Sequence, residues 1–125
     1  MNAMLDSSVV VDFLRGHSPA QQWFGTSSMI LGLSTTVYLE VMQGAANKQR
    51  LVEARRFMNT FQVVYLTEDD QRRAIEQLNR FHLSHNVGMN DCLIAAAAER
   101  LQLSLYTANL KRFGVLLPNR ARAPY

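Results

Sequence analysis

The sequence predicts an α/β fold built on a parallel sheet. Two observations carry that expectation. Short apolar segments alternate with helical patterns along the whole chain, and no Asn-Gly or similar turn joins two neighbouring strands into a hairpin. No linker, repeat or low-complexity stretch interrupts the pattern, so a single domain over residues 1–125 is expected.

The elements follow in order. "AMLD" reads as a very short strand ending at Asp6, and Val9, Val10, Phe13 and Leu14 then recur at helical spacing up to a stop at Gly16. Ser18 and Pro19 open a second short helix, as N-cap and first helical residue. "SMILGLS" reads as a strand, and Ser34 caps the helix "TTVYLEVMQGAAN". A helix from about Lys48 to Asn59 leads into the strand "QVVYL". Thr67 and Asp70 resemble a capping box for a helix reaching about His85. Asn90 caps "DCLIAAAAERLQ", and "LSLYT" is a fourth strand. A short turn, "GVLL" and an irregular tail marked by Pro118 and Pro124 complete the chain.

Composition narrows the class. With 48% hydrophobic and 18% charged residues the chain is globular rather than disordered. No apolar run approaches the length of a membrane span, and the N-terminus lacks the pattern of a signal peptide. The lone Cys92 cannot form an internal disulfide. Together these fit a soluble, cytoplasmic protein. Thirteen Lys and Arg against ten Asp and Glu give a net charge of +3. Much of the excess is late arginine, whose planar fork suits phosphate.

In open parallel sheets ligands bind beyond the carboxyl ends of the strands, where strand order reverses. Asp6 is expected there, at the end of the first strand, with Thr107 and Asn109 at the end of the fourth. Asp91 heads the intervening helix. Each has a plainer reading: Asp6 as a helix cap, Asp91 as a match to the helix dipole, Asn109 as a turn residue. Glu40 lies on the same helical stripe as Val37 and Gly44, and is either solvated or at the edge of a cavity. Gly44, a poor helix residue, suggests a close approach at that point. If the acids converge, a hard divalent cation would relieve their repulsion. His17, His82 and His85 lack metal-ligand company: His82 and His85 share one helix at i, i+3, but no third ligand joins them for a zinc site. Trp23 and Phe24 read as core or dimer contacts. Asp12 reads as structural.

The blocks "LDSSVVVDFLRG", "STTVYLEVMQGA" and "NDCLIAAAAERLQLSLYTANLKRF" resemble the signature blocks of the PIN-domain family, and more narrowly of VapC-type ribonuclease toxins from toxin–antitoxin pairs. The resemblance implies a three-layer α/β/α domain with a short central parallel sheet of four to five strands. It also implies an endoribonuclease that uses Mg²⁺ or Mn²⁺ and leaves 5′-phosphate and 3′-hydroxyl ends. Asp6, Glu40 and Asp91 match three family acids and would hold the metal. Asn109 stands at a fourth position that is often Asp; with Glu40 it would complete the metal's shell or orient the attacking water as a catalytic residue, and its missing charge favours one well-bound metal rather than two. Ser8 and Thr107 would support the acids by hydrogen bonds, and Lys111 and Arg112 are placed to meet RNA phosphates.

The implied partners are RNA, a cognate VapB-like antitoxin and a second copy of the chain in a homodimer, with no membrane. Two other readings stay open at this point. One is a PIN-fold RNA- or protein-binding module with impaired catalysis, favoured by Asn109. The other is a PIN nuclease of RNA processing outside any toxin–antitoxin pair.

Overall fold

A computed structural model describes all 125 residues. Five strands form one parallel sheet: β1 (Ala3–Leu5), β2 (Leu31–Ser34), β3 (Gln62–Val64), β4 (Ser104–Tyr106) and β5 (Ala121–Arg122). Their order is β3-β2-β1-β4-β5. The chain thus builds outward from β1 to one side, then crosses to place β4 on the other. The switch point lies between β1 and β4, where ligand crevices form in such sheets.

Helices cover the two faces: α1 (Ser7–Leu14), α2 (Ser18–Thr26), α3 (Thr35–Gln43), α4 (Lys48–Met58), α5 (Glu68–His85), α6 (Met89–Leu101) and α7 (Leu110–Leu116). The central strands are buried on both sides. Met4, Leu5, Leu33 and Leu105 are fully inaccessible, and one contiguous core joins them to Val9, Val37, Ile94 and Phe113. The alanine run of α6, Ala95 to Ala98, is buried throughout, and its small side chains allow close packing on the sheet and on α5.

Local sequence accounts for most boundaries. Gly16, at φ 81°, ends α1 in the left-handed region expected of a glycine stop. Ser34 caps α3 and the Thr67–Asp70 capping box starts α5, both as the sequence predicts. His17 rather than Ser18 is the N-cap of α2, which puts Pro19 one position further in. Gly88 rather than Asn90 precedes α6. The expected turn and "GVLL" segment is the helix α7, capped by Asn109, and the tail expected to be irregular contains β5.

Trp23 and Phe24 pack inward. Phe24 meets Phe13 and Phe57 edge to face, each with ring centroids 5.2 Å apart, and Trp23 leans on Tyr106. Asp12 accepts a hydrogen bond of 2.6 Å from the Tyr125 hydroxyl, anchoring the C-terminus to α1. Burial, aided by the Asp12 carboxylate, pushes the Tyr125 phenol well above its usual range. The expected close approach at Gly44 is absent. A side chain there would make only ordinary contacts, 3.5 Å to the Glu40 carbonyl oxygen, and Gly44 simply closes α3.

Candidate active site

Asp6 follows β1 directly and is 4% exposed. Its Oδ1 accepts from the Ser7 backbone N–H at 2.8 Å and so caps α1. Its Oδ2 accepts from the Ser8 hydroxyl at 2.7 Å and the Thr107 hydroxyl at 2.9 Å. Cap and crevice acid, alternatives in the sequence, are one residue in the structure. A buried carboxylate is tolerable only with such partners.

The same two hydroxyls fasten the exit of β4 to the exit of β1. Ser8 Oγ accepts from the Ala108 N–H at 3.0 Å, and Thr107 Oγ1 from the Asn109 N–H at 2.9 Å. Ser8 and Thr107 therefore support Asp6 as expected. Asn109 has another task. Its Oδ1 accepts from the Arg112 N–H at 3.2 Å and caps α7. The turn-forming reading describes its contacts, and its side-chain oxygen is engaged by the cap.

Asp91 is the third residue of α6 and 13% exposed at its side chain. Its Oδ2 reaches back to the Gly88 N–H at 2.8 Å, satisfying an otherwise orphan donor of the helix start. The same oxygen faces Arg112 Nη1 at 3.4 Å. Of the two basic residues expected at phosphates, Arg112 thus pairs with an acid of the crevice, while Lys111 is exposed.

Glu40, on α3, comes near both Asp6 and Asp91. Its Oε2 accepts from the Asn90 amide at 3.2 Å, and its Oε1 is buried without any partner. Burial raises the Glu40 carboxyl above the usual carboxylate range. The Asp6 and Asp91 charges push in the same direction, opposed by the neighbouring Asn90 amide and Ser7 hydroxyl. Two acids from distant parts of the chain thus act electrostatically on a third. Asn90 is the site residue that sequence reasoning missed, because a polar residue beside a helix start reads first as a cap. Its position next to Asp91 was the available signal.

Asp6 and Asp91 lie near enough to Glu40 for their charges to act on it, yet as they are placed no three His, Cys, Asp or Glu side chains are grouped to hold an ion. Their present hydrogen bonds explain the spacing: Asp6 is turned to hydroxyls, and Asp91 to Gly88 and Arg112. Fit to a divalent cation rests on two features. Every available donor is a hard oxygen, as Mg²⁺ and Mn²⁺ require. The orphaned Glu40 Oε1 also lacks the counter-charge or hydrogen bond that a buried carboxylate oxygen needs. Cys92, beside Asp91, is buried, and burial pushes its thiol up, away from reactivity. His82 is hydrogen-bonded to the Val87 carbonyl and stays structural.

Comparison with known proteins adds three findings. The PIN domain family profile matches residues 3–113. Ribonuclease VapC10 of Mycobacterium tuberculosis is 34% identical over 113 residues, covering 88% of this chain and 84% of that protein. Among solved structures, a toxin–antitoxin complex from Klebsiella pneumoniae superposes with a TM-score of 0.82 at 23% identity, covering 99% of this chain and 98% of that one. A DNA-bound VapBC from Salmonella typhimurium gives a TM-score of 0.83 at 19% identity over 100% and 99% of the two chains. At those identities the structures speak for the fold, a three-layer α/β/α domain with this sheet.

Proposed function

The chain belongs to the PIN-domain family, and from that premise we propose that it is an endoribonuclease, the toxin of a VapBC-type pair. The observation that carries the reading is the gathering of Asp6, Glu40 and Asp91 about the β1/β4 switch point, close enough for the Asp6 and Asp91 charges to act on Glu40. The kinship with Ribonuclease VapC10 supports RNA as substrate.

Mg²⁺ or Mn²⁺ is the proposed cofactor, held by Asp6, Glu40 and Asp91. When bound, such an ion supplies an acidified water and stabilises charge on the phosphate under attack. The chain's own residues do the rest. Ser8 and Thr107 hold the Asp6 carboxylate in a fixed orientation through their hydroxyls. Asn90 ties down one Glu40 oxygen and leaves the other, buried and without a hydrogen bond, for the ion. Asn109 contributes by fixing the first turn of α7, which carries Lys111 and Arg112 toward the RNA backbone.

The antitoxin partner is inferred from the toxin–antitoxin complexes among the structural neighbours. A groove of about 640 Å³ between α1, α3 and α4 offers it a seat. Val11, Leu14, Val41 and Ala54 give the groove an apolar lining, with Arg15, Arg50 and Glu53 also along it. A homodimer and a cytoplasmic site of action belong to the same proposal. No helix is long and apolar enough to cross a membrane.

A second reading has one observation in its favour. The Arg112–Asp91 pair occupies an acid that catalysis would need, as in a binding module. Induced expression in a bacterial host separates the two. The nuclease reading predicts growth arrest with new RNA ends bearing 5′-phosphates, both abolished by Asp6→Asn. Arrest that persists in Asp6→Asn, or arrest without new ends, would favour the binding module.

A further inference from the structure

Arg112 is the one cation that touches the acids of the crevice, and its placement is built rather than incidental. A single hydrogen-bonded path runs from Asp6 Oδ2 to the Thr107 hydroxyl, on to the Asn109 N–H, and through the Asn109 side chain to the Arg112 N–H. The Arg112 guanidinium then closes on Asp91. Both ends of the path are acids of the site.

The pair itself is loose. Only Nη1 of Arg112 reaches Asp91, at 3.4 Å, and the arginine side chain is 42% exposed. Most of its donor fork is therefore free for another oxyanion. On the Asp91 side, Gly88 and Arg112 both meet Oδ2, which leaves Oδ1 to the crevice. Charge balance points the same way. Three carboxylates and one guanidinium leave two negative charges, which one divalent ion cancels. Asn109 adds none.

We propose that Arg112 is the site's built-in second cation: it neutralises Asp91 in the RNA-free protein and passes to an RNA phosphate when a divalent ion takes Asp91. The proposal rests on the metal-dependent nuclease reading above and adds the residue that receives the substrate phosphate. Arginine suits that handover because it stays charged in both states and forms paired hydrogen bonds to phosphate oxygens. The structural alternative is an ordinary surface ion pair, worth little and indifferent to metal or RNA.

The test reads binding, without turnover. Free Mn²⁺ is followed by electron paramagnetic resonance in titrations of RNA-free wild type, Arg112→Ala, Arg112→Lys and Arg112→Glu. Binding of a 2′-O-methyl RNA oligonucleotide is measured in parallel across salt concentrations, in EDTA and in Ca²⁺, a divalent ion that also takes oxygen ligands. The Asn109 cap uses only the Arg112 backbone, so these variants retain α7.

Wild type should bind one Mn²⁺. Arg112→Ala should bind it about threefold more tightly, the competition of a partly exposed ion pair having been removed. Arg112→Glu should bind a second Mn²⁺, and Arg112→Lys should behave as wild type. On the RNA arm in Ca²⁺, Arg112→Ala should weaken binding severalfold and lower the salt slope by about one, with a smaller loss in EDTA, where wild-type Arg112 stays on Asp91. Arg112→Ala that leaves either Mn²⁺ affinity or RNA affinity unchanged would overturn the inference while leaving the nuclease reading intact. Wild type that takes up no Mn²⁺ would overturn the metal-dependent reading, and this inference with it.

Discussion

The Thr107 hydroxyl donates to Asp6 Oδ2 at 2.9 Å, joining the exit of β4 to the exit of β1 across 101 residues of sequence. Thr107 is fully buried and Asp6 nearly so. Thr107→Val, close in shape, leaves a buried carboxylate oxygen with one partner fewer. It should cost about 1–3 kcal/mol of stability, while Thr107→Ser should cost less. Urea unfolding of the three proteins checks the order. Valine equal to wild type would mean the bond holds nothing.

Asn109 acts through the helix it starts. Asn109→Ala removes the cap of α7 and should lower stability by about 1 kcal/mol. Asn109→Asp keeps an acceptor at the helix start and should be neutral or slightly stabilising. If RNA cleavage depends on the placement of α7, cleavage should fall in the alanine variant and survive in the aspartate variant. Parallel thermal melts and cleavage assays distinguish cap from ligand.

Asn90 should matter to rate more than to binding. It holds Oε2 of Glu40 at 3.2 Å and touches no other acid of the crevice by hydrogen bond. Asn90→Ala should reduce the cleavage rate by about 10- to 100-fold, the usual cost of losing a supporting hydrogen bond in a metal site. RNA affinity in EDTA should not change. A variant that loses affinity and keeps its rate would contradict this role.

Acid stability should depend on a pair far from the crevice. Asp70 is 2% exposed and accepts from Arg100 Nε at both oxygens, 3.0 and 3.1 Å. Burial alone would raise its pKa, but the bonds from Arg100 and Thr67 prevail and lower it from 3.8. A carboxyl held down in the folded state binds its proton less readily than in the unfolded chain. Its contribution is full above the unfolded value and fades as pH falls from about 4 through the folded value. Asp70→Asn should therefore destabilise at pH 7 and flatten the acid limb of stability. Urea midpoints between pH 2 and 7 report both.

Sequence carried the fold where local patterns repeat the tertiary answer. β1 and β2 are apolar because both faces are covered, and their helices carry their own caps and stops at Asp6, Gly16 and Ser34. It failed where an element exists only through its neighbours. β5 is two residues long and forms by pairing with β4, so "AR" in a proline-flanked tail gives no strand signal. α7 is short, contains Gly114 and depends on the Asn109 cap and on burying Phe113 and Leu116.

The site divides in the same way. Asp6, Glu40 and Asp91 could be picked out because strand ends, helix starts and motif spacing mark them. Asn90 was marked only by its place next to Asp91, since its partner lies 50 residues away on α3. The choice of Arg112 between phosphate and acid is likewise a matter of three-dimensional distance, which periodicity does not encode.

The most direct measurement is cleavage of a mixed RNA pool by purified, antitoxin-free protein in Mg²⁺ or Mn²⁺, against EDTA and Asp91→Asn. Asparagine keeps a side-chain oxygen for the Gly88 N–H but removes the charge, so the fold should survive. The account predicts cleavage that needs the metal and disappears in the variant. Equal cleavage in EDTA, or by folded Asp91→Asn, would contradict it.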